Sequence, residues 1–249
     1  MRPSLARSRP VILATNPSMK LPRRRRWASI LLLVALAAAA VLAVPSVRKT
    51  VLRAAGWALV VNEPIAPSDI IVVTLDSGGA GALEAADLVH RGIATRVAVF
   101  SDLPSEEDHE FIRRGLPYED ASARQIRQLR WLGVTDVVQI PRTEDGTTGE
   151  GQVFPPWCDQ HQFRSIVFVT SRDHSRRVRL VLNRVMKAHA TRVVVQPERY
   201  SFDPDRWWET RYGVGMEITE FQKLVLEVVL HPISFFTSFK GMPPNDIPQ

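Results

Sequence analysis

The stretch Ser165-Ile-Val-Phe-Val-Thr170, running on through Ser171-Arg-Asp-His174-Ser-Arg-Arg177, does most to limit what this chain can become. Its first half is an apolar, β-branched run bounded by polar residues, which predicts a buried strand. The pattern breaks at Ser171 to Asp173 and resumes at Ser175. From there to Ala188, Val178, Val181, Leu182, Val185 and Met186 recur at helical spacing, with Arg and Lys on the opposite face. Strand, tight turn and helix follow, with Asp173 or Ser175 offered as N-cap.

The same alternation runs through the chain. Asp69 to Leu75, Thr95 to Phe100, Thr135 to Ile140 and Thr191 to Gln196 read as four further strands. Between them, Ala82 to Arg91 predicts a helix ended by Gly92, and about Tyr118 to Leu132 a helix closed by Gly133. Asp76 to Gly81 reads as a flexible turn, and Pro104 to Pro117 as a charged excursion. Apolar strands alternating with helices imply a parallel sheet covered on both faces. The expected fold is therefore α/β, a Rossmann-like sheet of about five strands spanning 68–198. A helical tail, 199–249, with an amphipathic stretch from Met216 to Leu230 and an apolar one from Ile233 to Phe239, packs on it, contact with the bilayer surface being the alternative.

In such a sheet the C-terminal ends of the strands share one edge, and ligands bind there. That edge collects Asp76 with Gly78, Gly79 and Gly81, then Ser101 and Asp102, then Arg142, Glu144, Asp145, Thr147 and Glu150. The central turn adds Ser171, Asp173, His174, Arg176 and Arg177, and the last strand adds Glu198 and Arg199. Arg172, His174, Arg176 and Arg177 crowd a helix N-terminus, whose free N–H groups and dipole favour anions by roughly 0.3–1 kcal/mol per charge. A solvated basic turn is one reading. The other is an anion site in which N–H groups and guanidinium forks converge on phosphate or carboxylate.

Gly78 and Gly79 permit close backbone approach, yet match neither G-x-G-x-x-G nor G-x-x-x-x-G-K-[ST]. His174 is the candidate general acid or base, because imidazole titrates near neutrality. Asp76 or Glu150 would orient it or hold a divalent cation. No metal site follows from cysteine, since Cys158 stands alone and can build neither a disulfide nor a thiolate cluster.

The net charge of +6 is unevenly spread. No Asp or Glu precedes Glu63, and that stretch holds 11 of the 32 Lys and Arg, leaving 21 basic against 26 acidic residues beyond it. A mildly acidic globular part has no footprint for nucleic acid. Residues 1–26 form a basic tail that ends in four arginines. Trp27 to Val44 is an uncharged run of 18 residues, which as a helix extends about 27 Å, close to a bilayer core. Eight basic residues precede this run, so the positive-inside rule keeps the N-terminus cytoplasmic. The expected protein is single-pass in the cell membrane with an extracytoplasmic domain; a signal peptide cleaved after Val41-Leu-Ala43 is the competing reading. Val51 to Val61 predicts a short helix near the membrane surface, and Glu63 to Pro67 a proline-punctuated linker closing the 45–67 segment.

The strand Asp69 to Leu75, the run Leu83 to Gly92, Gly133-Val134, Thr147 to Glu150 and above all Val169-Thr-Ser-Arg-Asp-His174-Ser-Arg-Arg177 resemble the bacterial YdcF/SanA/ElyC-like domain. Thr170, Ser171, His174 and Arg177 fall on its specific motif, and Thr147 and Glu150 on the Thr and acidic positions of the element before. Pro155-Pro156-Trp157 interrupts the helix expected there. The resemblance implies an envelope protein concerned with barrier function, peptidoglycan synthesis or its lipid carrier. With Arg172, Arg176 and Arg177 to hold an anion, the expected ligand is a phosphorylated envelope precursor, either a polyprenyl phosphate or a nucleotide-linked sugar intermediate. A scaffold for envelope protein partners, and a binder of S-adenosylmethionine or a nucleotide, are the alternatives; the sequence names no cofactor.

Overall fold

Five short strands, Ile70–Val73 (β1), Val97–Phe100 (β2), Val137–Ile140 (β3), Ser165–Thr170 (β4) and Arg192–Pro197 (β5), lie parallel in the order β3-β2-β1-β4-β5. They belong to a computed structural model that describes residues 43–142 and 146–231, with residues 27, 30, 32 and 33. Strand β1 is central, pairing Val72 with Ala98 on one side and with Phe168 on the other. The chain builds outward from β1 through β2 to β3, then returns across β1 to lay down β4 and β5. The order thus reverses between β1 and β4.

Every residue of β1 and β2 is buried because side chains alternate between two covered faces. Ile70, Val72, Ala98, Phe100 and Phe168 face one layer, which contains Phe154, Val178 and Leu182. Ile71, Val73, Val97, Val99, Val167 and Val169 face the other, with Ala85, Leu88 and Leu129. Each large apolar side chain so buried contributes about 1.5–3 kcal/mol. The first layer is supplied by helices Gly146–Gln160 and Ser175–Val185, the second by Gly78–His90 and Ala121–Trp131. Counting from Pro45–Ala58 as α1, these are α5, α6, α2 and α4; α3 is Glu106–Arg113 and α7 is Arg211–Leu230. The fold is α/β and Rossmann-like.

Local chemistry explains the boundaries. Asp120 caps α4 by accepting from Ala123 N, and the positive φ of Gly92 and Gly133 follows α2 and α4 where the sequence places their ends. The charged excursion at 104–117 contains α3, started by a capping box in which Ser105 and Asp108 satisfy each other's backbone N–H. Asp76 to Gly81 is no flexible turn: a 3₁₀ turn at Leu75–Ser77 leads directly into α2. Nor does Pro155-Pro156 break α5, which continues through both rings with Phe154, Trp157 and Cys158 buried against the sheet. That burial offsets the backbone bonds that proline cannot make.

Neither Asp173 nor Ser175 caps α6. Ser175 Oγ instead donates to Leu59 O and accepts from Val61 N, fixing the chain that leaves α1. The expected linker is pinned too, because Glu63 accepts from Val195 N and pairs with Arg179. Helix α7 docks through Leu224 against Leu59 and Leu180. Among the described residues no helix is long and apolar enough to cross a membrane. The tail 1–26, most of the run 27–44, Glu144 and Asp145, and the stretch 233–239 lie outside the described residues.

Candidate functional site

Where the strand order reverses, β1 and β4 lead to helices on opposite faces of the sheet, and a cleft of about 450 Å³ lies at their ends. Asp76 enters it from the turn after β1 and Ser171, Asp173 and His174 from the turn after β4. Thr147 and Glu150 come from the first turns of α5, Arg142 from the segment after β3, and Arg177 from α6. Ser171 Oγ donates to Asp76 Oδ2 at 2.6 Å, tying the turns after β4 and β1 together.

His174 is held from both sides. Its Nδ1 lies 2.9 Å from Glu220 Oε2, and its Nε2 lies 3.2 Å from Thr147 Oγ1 and 3.8 Å from Asp76 Oδ2. Nδ1 thus meets the Glu220 carboxylate and, at 2.5 Å, Nη2 of Arg177, while Nε2 faces the cleft. Arg177 sits against the same ring edge, donating from Nε and Nη2 to Glu220 at 3.1 and 3.0 Å and from Nη1 to Thr147 Oγ1 at 3.2 Å. Lys223 donates to the other oxygen of Glu220 at 2.7 Å. The glutamate, 5% exposed, thus orients a base and two cations at once.

The carboxyl groups diverge in charge. Burial alone would raise Glu220, but hydrogen bonds from His174 and Lys223 and the Arg177 charge outweigh it and hold the group at about 2. Burial pushes Glu150 up to about 8, helped by the negative charge of Asp76, so it is neutral at physiological pH. Burial raises Asp173 to about 6, with Glu220 adding repulsion, and Glu217 to about 7, with Asp173 adding repulsion. Both carboxylate oxygens of Glu217 and Oδ2 of Asp173 are buried without a hydrogen-bond partner, which fits protons retained on this pair. Among the described residues no three His, Cys, Asp or Glu side chains are placed to hold a metal ion.

Of the residues expected at the sheet edge, His174, Glu150, Asp76, Thr147, Ser171 and Arg177 meet in the cleft, with Asp102, Arg142 and Asp173. The others do not. Arg176 turns away and donates to Ala58 O and Val60 O, at 2.6 and 2.5 Å, which closes the carbonyl end of α1. Arg172 stacks over Trp57, its guanidinium carbon 5.2 Å from the ring centroid, and reaches Phe202 O. The expected convergence of three arginines is therefore corrected to one.

Gly78 and Gly79 stand at the start of α2, Gly78 with a positive φ of 49°, and neither lines the cleft. Gly78 O accepts from Gln125, and a Cβ on Gly79 would meet the Gln128 side chain. Thr170 is fully buried at the end of β4, its hydroxyl without a partner, and does not line the cleft. Glu198 caps the loop after β5 by accepting from Tyr200 N and Ser201 N, and Arg199 pairs with Glu84 and Asp87.

Glu220, Lys223 and Met216 of α7 escaped the sequence reading as site residues. The signal was present: Glu217, Glu220 and Leu224 share the buried face of α7, and acids on a buried face need a reason.

The charges facing the cleft are mixed, but the backbone adds a directional field. The first turn of α5, which has no acidic residue, adjoins the cleft, as do the turns leading into α2 and α6, which carry Asp76 and Asp173. The N-terminal turn of α5 favours a bound anion there.

No family model matches the chain, and no curated protein is similar to it. Among solved structures it is similar to the reductase domain of an aureusimine biosynthetic cluster, at 13% identity and a TM-score of 0.29. That alignment covers 74% of this chain, which spans 52% of the other.

Proposed function

We propose that this is a membrane-anchored, extracytoplasmic YdcF/SanA/ElyC-like protein of the cell envelope, and that its cleft binds and processes a phosphorylated, lipid-linked precursor. The observation that carries the reading is the His174 ring, fixed by Glu220 on one nitrogen and presented to the cleft on the other, beside Arg177. The arrangement supplies a base and an acid. His174 Nε2 takes a proton from a hydroxyl or water, and neutral Glu150 gives one to a departing oxygen. The phosphate rests on Arg177, Lys223 and the N-terminal turn of α5, drawing the two cations partly away from Glu220. The glycine loop on which a nucleotide or S-adenosylmethionine reading depends is folded into α2, which leaves those ligands less support.

Thermal unfolding of the full chain in detergent tests this, with phosphate, pyrophosphate, short polyprenyl phosphates, nucleotide sugars and S-adenosylmethionine as ligands. A ligand at 100 times its Kd stabilises by about 2.7 kcal/mol, enough to move the midpoint by several degrees. A phosphorylated compound should shift the wild type and leave a His174→Ala/Arg177→Ala variant unmoved. Equal shifts in both, or a shift with S-adenosylmethionine alone, would refute the proposal.

A further inference from the structure

Helix α7 turns its acids inward and most of its apolar side chains outward. From Ile218 to Leu230 its charged residues are Glu220, Lys223 and Glu227. Glu220 is buried at the cleft, Lys223 pairs with it, and Glu227 pairs with Arg184 of α6. The opposite half presents Ile218, Phe221, Val225, Leu226, Val229 and Leu230, exposed by between 47% (Val225) and 68% (Val229). Only uncharged Thr219 and Gln222 interrupt that face. A water-facing helix has the reverse arrangement. Contiguous apolar surface of this kind marks a contact with another apolar phase.

We infer that the outward face of α7 lies in the headgroup–acyl boundary of a lipid bilayer. The inference rests on the membrane anchor of the preceding reading and extends it to a second contact. The chain itself argues for lipid. Trp207 Nε1 donates to Leu52 O and Trp57 Nε1 to Asp205, so the C-terminal half of α1 is fastened to the turn that starts α7. Only five residues separate Val44, the end of the uncharged 27–44 run, from Thr50 within α1. Helix α1 carries Arg48, Lys49 and Arg53 and no acidic residue, which suits anionic headgroups. Lipid contact would bring the cleft, walled by Met216, Glu220 and Lys223 of this same helix, to the surface from which a lipid-linked substrate emerges.

The test places an environment-sensitive fluorophore on Val225→Cys or Phe221→Cys in the full chain, with Arg113→Cys on α3 as the exposed control; native Cys158 is buried. The protein is reconstituted in phosphatidylcholine–phosphatidylglycerol vesicles with and without nitroxide-labelled acyl chains. Quenching of the α7 labels by about twofold or more, against none at the control, is expected for a face resting among acyl chains. Labels that stay water-exposed in protein that floats with the vesicles would overturn the contact while sparing the anchor. Labels shielded equally in detergent, or in vesicles without quenching, would assign the face to protein and overturn it as well. Protein that fails to float would overturn the anchor itself, and with it the premise of this contact.

Discussion

Glu220 sets the electrostatics of the cleft, and its influence is readable as a pH dependence. Its folded value of about 2 lies below its usual 4.5, so the stability it contributes is present above pH 4.5 and lost as pH falls toward 2. Glu150 and Glu217 have the opposite sign. Their folded values, about 8 and about 7, exceed 4.5, so the unfolded chain releases its protons first. Their stability is full below pH 4.5 and lost as pH rises through 7 and 8. The melting midpoint should therefore fall on both sides of about pH 4.5. Glu150→Gln should flatten the alkaline limb, measured as midpoint against pH; an unchanged limb would remove the neutral acid from the account. Removing one partner of a buried charge cluster costs about 3–5 kcal/mol, so Glu220→Ala should melt far below the wild type while Lys223→Ala, half exposed, should not. At this scale the sequence was a partial guide. His174 and Arg177 were legible because they follow a recognisable strand, whereas Glu220, 43 residues further on, becomes their partner only through the docking of α7.

Among the elements, the N-terminal turn of α6 separates two neighbouring arginines by role. Arg176 binds the carbonyls that end α1, so Arg176→Ala should lose about 1.5–3 kcal/mol per charged hydrogen bond in thermal unfolding. Adjacent positions on a helix point about 100° apart, and no charge count along the sequence distinguishes them. The start of α2 offers a second contrast. A Cβ on Gly81 would lie 1.9 Å from Ser77 Oγ and 2.9 Å from Val73 Cγ1, so Gly81→Ala should destabilise by about 1–3 kcal/mol. Gly79 meets only the flexible end of Gln128 at 3.3 Å, and Gly79→Ala should be neutral or stabilising by up to about 1 kcal/mol. A phosphate cradle at these glycines would make both substitutions costly to ligand binding. Strands and helices were legible here because apolar period and capping residues are local. The path of the α1 exit was not, since Ser175, Glu63 and Arg179 join segments more than 100 residues apart.

For the molecule as a whole, the parallel order β3-β2-β1-β4-β5 places the cleft where the order reverses, and the start of α5 adds its field to Arg177 and Lys223 there. The central claim is that this cleft takes a phosphorylated ligand on Arg177. Calorimetric titration of pyrophosphate and a short polyprenyl phosphate into the full chain, its Arg177→Ala variant and its Arg176→Ala variant tests it most directly. Loss of one charge-assisted contact, about 1.5–3 kcal/mol, should weaken binding at least tenfold in Arg177→Ala. Arg176→Ala, once folded, should bind within about twofold of the wild type, since its guanidinium faces α1. Equal losses in both variants, or no phosphate binding by the wild type, would contradict the account.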